Sequence, residues 1–181
     1  VMDAATLGGT AVVFVTTHEG LNARFATLSA TDGATIVNQN TAGHGGATAL
    51  SATVSNHLST TRYHVISSRA AGMRSLTGNS NLSSITGADD AAAVSQADAS
   101  AVAWDGTSGV IHVAFTVFAT VGELSTTVVQ TRTINLATTA WSAAVIESAW
   151  GAVLATRPFF FQSQMYVGVF SGHADAQPGI Q

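Results

Sequence analysis

The sequence predicts an all-β fold built from antiparallel four-stranded blades of the β-propeller kind, and three observations carry that expectation. Apolar segments that can be laid over one another begin at Val12, Tyr63, Ile111 and Met165, at steps of 51, 48 and 54 residues. Within them apolar and polar residues alternate, which is the period of a half-buried strand. Thr, Val and Gly are frequent where a helix would favour Leu, Glu, Lys or Gln, and no stretch of comparable persistence has helical spacing. Several short strands per unit of about fifty residues is the pattern of propeller repeats. A β-sandwich or a stack of small β-domains is the alternative.

The clearest unit is Ala101 to Phe118, AVAWDGTSGVIHVAFTVF. A short apolar run ends at Trp104, the chain turns through Asp105-Gly106-Thr107-Ser108-Gly109, and a longer run of β-branched and aromatic residues returns. Asp and Gly tolerate the left-handed conformations of a tight turn, so this is a hairpin. The turns LGGT, HLSTT and FQSQ precede the other copies, and ATALSATV and ATRPFFF supply the preceding strands. Arg157-Pro158 marks the start of the last of these, since proline has no ladder donor.

A third strand follows in NARFATLS, RSLTG and LSTTVVQTRTINL. The outlines LSATDGATIV and LATTAWSAAV, 108 residues apart from Leu28 to Leu136, then place a fourth at Thr35 to Asn38 and at Ala143 to Glu147, with Leu82 to Ile85 as the weaker counterpart. Ala88 to Ala99 reads as a connection between units with room for one helical turn. The units are therefore 1–45, 46–97, 98–151 and 152–181, in one domain or fragment of a domain.

Composition narrows the function classes. Charged residues are 9% of the 181, against about a quarter in an ordinary domain, and all six basic residues are arginine. A net charge of −4 without a basic cluster argues against a nucleic-acid groove. No apolar run reaches the ~20 residues of a membrane-spanning helix. Without cysteine there is neither a disulfide frame nor a thiolate metal site.

No constellation of catalytic residues emerges. H-E-x-x-H and G-x-S-x-G are absent. Asp89, Asp90, Asp98 and Asp105 fall in loops, where turn formation explains them better than glycoside hydrolysis or calcium binding. His64 and His112 stand at matching places in successive second strands, where Val13 and Tyr166 are the other equivalents. A position that accepts valine and tyrosine is a packing position. Trp104, Trp141, Trp150, Tyr166 and Phe159 to Phe161 could stack on a sugar, but core packing uses them more economically. The residues singled out, Trp104, Asp105, Gly106, Gly109, His64, His112, Trp141 and Tyr166, are thus assigned structural roles. No catalytic residue, metal ligand or cofactor is assigned.

The order "strand, AWDG turn, V-x-V-A-F, G-x-L-x-x-x, L-x-T-G", carried by Trp104 to Thr116, Gly122 to Trp141 and more weakly Gly9 to Val37, resembles the irregular propeller repeats of tailed-bacteriophage structural proteins, including tail-tube nozzle and tail-associated proteins. That resemblance implies a virion component without chemistry of its own: a rigid β-scaffold that assembles with other virion chains, as a homo-oligomeric ring. The alternative is a secreted carbohydrate-binding or sialidase-like propeller, with a glycan as partner. The sialidase Asp-box is echoed only by Ser29 to Ile36, where spacing and final aromatic both depart from the pattern.

Counting strands, the chain is expected to enter at the second strand of one unit, cross two full units and stop after the second strand of a fourth, with Ala174 to Gln181 as a loop. Such a fragment cannot close a ring. Val1 is no initiator, so the beginning is expected to be processed, internal or incompletely traced.

Overall fold

The computed structural model describes residues 2–7, 10–47, 49–69, 72–90, 98–121, 124–149, 153–161, 164–173 and 176–180. Among these residues there is no helix, and so none long and apolar enough to cross a membrane.

Four antiparallel sheets follow one another along the chain, and each is a simple meander. The first holds β1 (Met2–Leu7), β2 (Thr10–Glu19), β3 (Asn22–Ser29) and β4 (Ile36–Gly43). The second holds β5 (Ala49–His57), β6 (Thr60–Arg69), β7 (Gly72–Gly78) and β8 (Ile85–Asp89). The third holds β9 (Asp98–Trp104), β10 (Val110–Val121), β11 (Leu124–Asn135) and β12 (Val145–Ala149), and the fourth β13 (Val153–Phe161), β14 (Gln164–His173) and β15 (Ala176–Ile180). Val12, Tyr63, Ile111 and Met165 accordingly lie on β2, β6, β10 and β14, each the second strand of its own sheet.

Several boundaries differ from the sequence expectation. The chain enters at a first strand, because MDAATL pairs with Thr10 to Val15 even though Asp and Ala are weak strand formers. The fourth sheet has a third strand where a loop is expected: AQPGI pairs with β14 from His173 to Phe170 across an irregular register. Pro158 does not open β13 but sits inside it, opposite Val167. β13 is the outer strand in the order β13-β14-β15, so one of its edges needs no ladder donor and the proline is tolerated. β8 starts at Ile85 rather than Leu82, because Leu82 turns inward with φ +56° and is buried. Of the expected 88–99 connection, Ala88 and Asp89 close β8, Asp98 opens β9, and 91–97 lie outside the described residues.

The sheets stack face to face. Phe14, Ala23 and Phe25 of the first meet Tyr63, Val65, Leu76 and Leu82 of the second. Phe14 stands 5.6 Å from Phe25 and 4.8 Å from Tyr63 between ring centroids, in tilted contacts that add to the area they bury. The opposite face of the second sheet, with Ile66 and Met73, meets Ile111, Val113, Phe115 and Ile134 of the third, and Trp104 and Trp141 cover that core. Alternation along β6 therefore supplies both seams, which is why Tyr63 to Ser68 are all buried.

Neighbouring sheets approach most closely at their first strands. β5 runs against β1 and β9, and β9 against β13; the second strands β2, β6 and β10 reach the first strand of the sheet that follows. Among the described residues the fourth strands touch less than the first strands do, as β4 and β8 show. The stack thus opens like a fan from its first strands. The fourth sheet packs on the third, with β13 against β9, β10 and β11.

Candidate functional site

The hairpin from Trp104 to Val110 is built by its aspartate. Asp105 Oδ1 accepts from the backbone N–H of Thr107 at 2.9 Å and of Ser108 at 2.7 Å, and Gly106 takes φ +88°, where a side chain would be strained. Partial burial acts to raise the Asp105 pKa, but these hydrogen bonds, together with the Ser108 side chain and the His112 charge, hold the carboxyl below its ordinary value. Trp104 Nε1 donates to the Ser108 carbonyl at 2.9 Å, so the indole closes the turn while its body packs on the core. Gly109 lies against the neighbouring hairpin, where an added Cβ would stand 3.4 Å from His57 Nε2. His57 Nδ1 in turn bonds the Thr107 carbonyl at 3.2 Å.

Asp32 folds the turn between β3 and β4 by the same means. Its carboxylate accepts from the N–H of Ala34 and Thr35, each at 3.0 Å, and from the Thr35 hydroxyl, which lowers its pKa to about 2. The segment that echoes an Asp-box is therefore a self-contained turn.

His64 is buried between two hydroxyls, with Nε2 2.7 Å from Ser55 Oγ and Nδ1 3.2 Å from Thr77 Oγ1. A serine against an imidazole is the geometry of an activated nucleophile. Burial, with a smaller contribution from the Arg62 charge, pushes the His64 pKa down to about 3, which makes it a weak base, and Ser55 is itself buried. The pair acts as a satisfied hydrogen bond inside the seam. Where sequence position marks a packing residue, the structure adds two specific polar partners.

His112, half-buried, has a pKa lowered by burial against the opposing pull of Asp105. Trp141 reaches the same core from the segment between β11 and β12, bridged to Ile134. Tyr166 is exposed, its hydroxyl 3.5 Å from Gln164 Oε1. The eight residues do not converge on one site: Trp104, Trp141, His64 and His112 belong to the second and third sheets, and Tyr166 to the fourth.

A pairing of two imidazoles was not expected from sequence. His18 Nδ1 lies 3.2 Å from His44 Nε2, and His44 Nδ1 accepts from the N–H of Gly46 and Ala47 at 3.1 and 2.9 Å. Those two donors fix the proton of His44 on Nε2, so it donates to His18. Burial and the neighbouring His18 lower the His44 pKa. Among the described residues no three His, Cys, Asp or Glu side chains are grouped to hold a metal ion.

The outer face of the first sheet carries an apolar groove. Val15, Ala26 and Leu28 with Ile36 line a shallow groove of about 210 Å³, flanked by Thr17 and Arg24, and Ile36 is 46% exposed. This is the face opposite to Phe14 and Phe25, and alternation places Val15, Ala26 and Leu28 together on it. Arg24 is engaged at its edge by Gln39 and Glu19. Comparison with protein-family models, with curated proteins and with solved structures finds no match for this chain.

Proposed function

We propose that the chain is a structural component of a tailed-bacteriophage virion, tail-associated, in which the four sheets are β-propeller blades acting as a rigid scaffold for protein–protein assembly. The propeller reading is supported by the fan of sheets about their first strands, since a blade narrows toward the axis at its innermost strand. The observation that carries the assembly role is the outer face of the first sheet. Val15, Leu28 and Ile36 present to solvent the kind of surface that the second and third sheets bury against a neighbour. A further sheet of the same kind, from another virion chain, covers it. The place in a tail rests on the resemblance of the AWDG-turn repeat.

The test is the mass and symmetry of the native assembly, with antibody against this chain used to label intact particles. Label on tails and a ring-symmetric complex are expected. A freely dispersed monomer in infected cells, with particles unlabelled, would overturn the reading.

A further inference from the structure

A cavity of about 320 Å³ lies in the seam between the second and third sheets, where the β5–β6 hairpin faces the turn after β11. Leu58, Thr60 and Arg62 line it from the second sheet, and Gly109, Leu136 and Ala137 from the third. Its size suits a small molecule, and an apolar lining with a few fixed polar groups is the usual make-up of such sites.

Alternation fixes the direction of Arg62. Tyr63 packs on the first sheet, so Arg62 beside it on β6 looks to the third, as Ile66 does. Its Nη1 donates to the Leu136 carbonyl, which belongs to the opposite wall, so the guanidinium crosses the seam at the cavity. The clip alone does not call for a charge, because one seam earlier the neutral Asn40 does the same for the Leu82 carbonyl. A guanidinium carries five N–H donors, so others are left for a ligand.

The charge is also uncompensated. Arg24, Arg69, Arg74 and Arg132 each meet a carboxylate, whereas among the described residues Arg62 pairs with none and no Asp or Glu lines the cavity. Asp105, in the adjoining turn, spends Oδ1 on the Thr107 and Ser108 N–H groups. Its charge acts on His112, which alternates with the seam residues Ile111 and Val113 and so faces away from Arg62. Arg62 is half-buried, where an opposite charge is felt more strongly than in water.

We infer that this cavity binds a small monocarboxylate, with the carboxylate on the Arg62 guanidinium and a short apolar body against Leu58 and Ala137. A planar carboxylate matches the guanidinium fork, and its single charge balances the single cation. A phosphate brings more charge than one guanidinium balances, and a cation is repelled. The exposed Leu58 side chain gains cover from the body of the ligand. The inference concerns a seam within the chain, so its failure leaves the assembly face and the scaffold reading untouched.

The experiment is a titration of the isotope-labelled full chain with acetate, butyrate and benzoate, followed by two-dimensional NMR, beside butanol, butylammonium and inorganic phosphate. Saturable shifts with butyrate or benzoate in the millimolar range, centred on the Arg62 side-chain Nε–H and the amides of Leu58, Gly109 and Ala137, are expected. Arg62→Met also removes the seam hydrogen bond, so the deciding variants are at Thr60, which is exposed and on the same face of β6 as Arg62. Thr60→Glu supplies an internal carboxylate and should weaken binding about tenfold, whereas the uncharged Thr60→Gln should bind as the native chain does. No saturable shift with any carboxylate, a response to butanol as strong as that to butyrate, tighter binding of phosphate or butylammonium than of the carboxylates, or equal binding by the two Thr60 variants would overturn it.

Discussion

Arg62 on the second sheet donates from Nη1 to the main-chain carbonyl of Leu136, in the turn after β11 on the third. One seam earlier, Asn40 on the first sheet donates from Nδ2 to the carbonyl of Leu82 at 2.6 Å, in the turn after β7 on the second. Leu82 and Leu136 are 54 residues apart, and both bury their side chains in the seam that the hydrogen bond closes. A repeated clip therefore fastens the first sheet to the second and the second to the third.

Removing a clip should cost more than its exposure implies. Arg62→Met keeps the aliphatic stem but leaves the Leu136 carbonyl without its charged donor, a loss of about 1.5–3 kcal/mol. Asn40→Ala should cost about 1 kcal/mol. Urea unfolding of both variants with unchanged slope checks the values; shifts within error for both would show that the clips add nothing.

The turn between β5 and β6 can be improved. Leu58 and Ser59 both have positive φ, +50° and +59°, with His57 paired to Thr60, so the turn is of the type that favours Asn-Gly. Leu58 is 83% exposed and gives up no core contact when replaced. The double change Leu58→Asn with Ser59→Gly should raise stability by about 1–2 kcal/mol. Thermal unfolding measures it, and a lower midpoint would contradict the strain argument.

Acid should loosen the second seam through His64. Its folded pKa of about 3 lies below the ordinary 6.5, so the unfolded chain takes up the proton first. Stability is full above about pH 6.5 and falls as pH drops toward 3, by a few kcal/mol over the whole window. His44, shifted in the same direction, adds to the slope. Denaturant midpoints measured from pH 7 to pH 4 should decline for the native chain and less steeply for His64→Gln. Equal slopes would remove His64 from the explanation.

The assembly face is separable from the fold. Ile36→Asp places a charge on the groove of the first sheet and touches neither seam core, so stability should change by no more than about 0.5 kcal/mol. Assembly with the partner sheet should be lost. Sedimentation of the variant beside the native complex checks this, and unchanged assembly would exclude the groove as the interface.

What the sequence shows in advance follows from which interactions are local. The second strands and the Trp104 turn are legible because alternation and an Asp-Gly pair act within a few residues. β1 and β15 are not, because MDAATL and AQPGI have little strand preference and gain it only by pairing. The clips, the His18–His44 pair and the buried Arg132–Asp90 pair join residues 26 to 74 positions apart, and no local pattern announces them. Position alone marks His64 as a packing site, but its two hydroxyl partners come from flanking strands whose register is not written in any one segment.

The most direct measurement is an experimental density map of the native assembly at a resolution that separates strands, which lie about 4.7–4.9 Å apart. The account predicts β1, β5, β9 and β13 innermost about one axis, and a further sheet seated on Val15, Leu28 and Ile36. The account is contradicted by a map in which these three side chains face solvent in the complete assembly, or in which the sheets pair into a two-layer sandwich without a common axis.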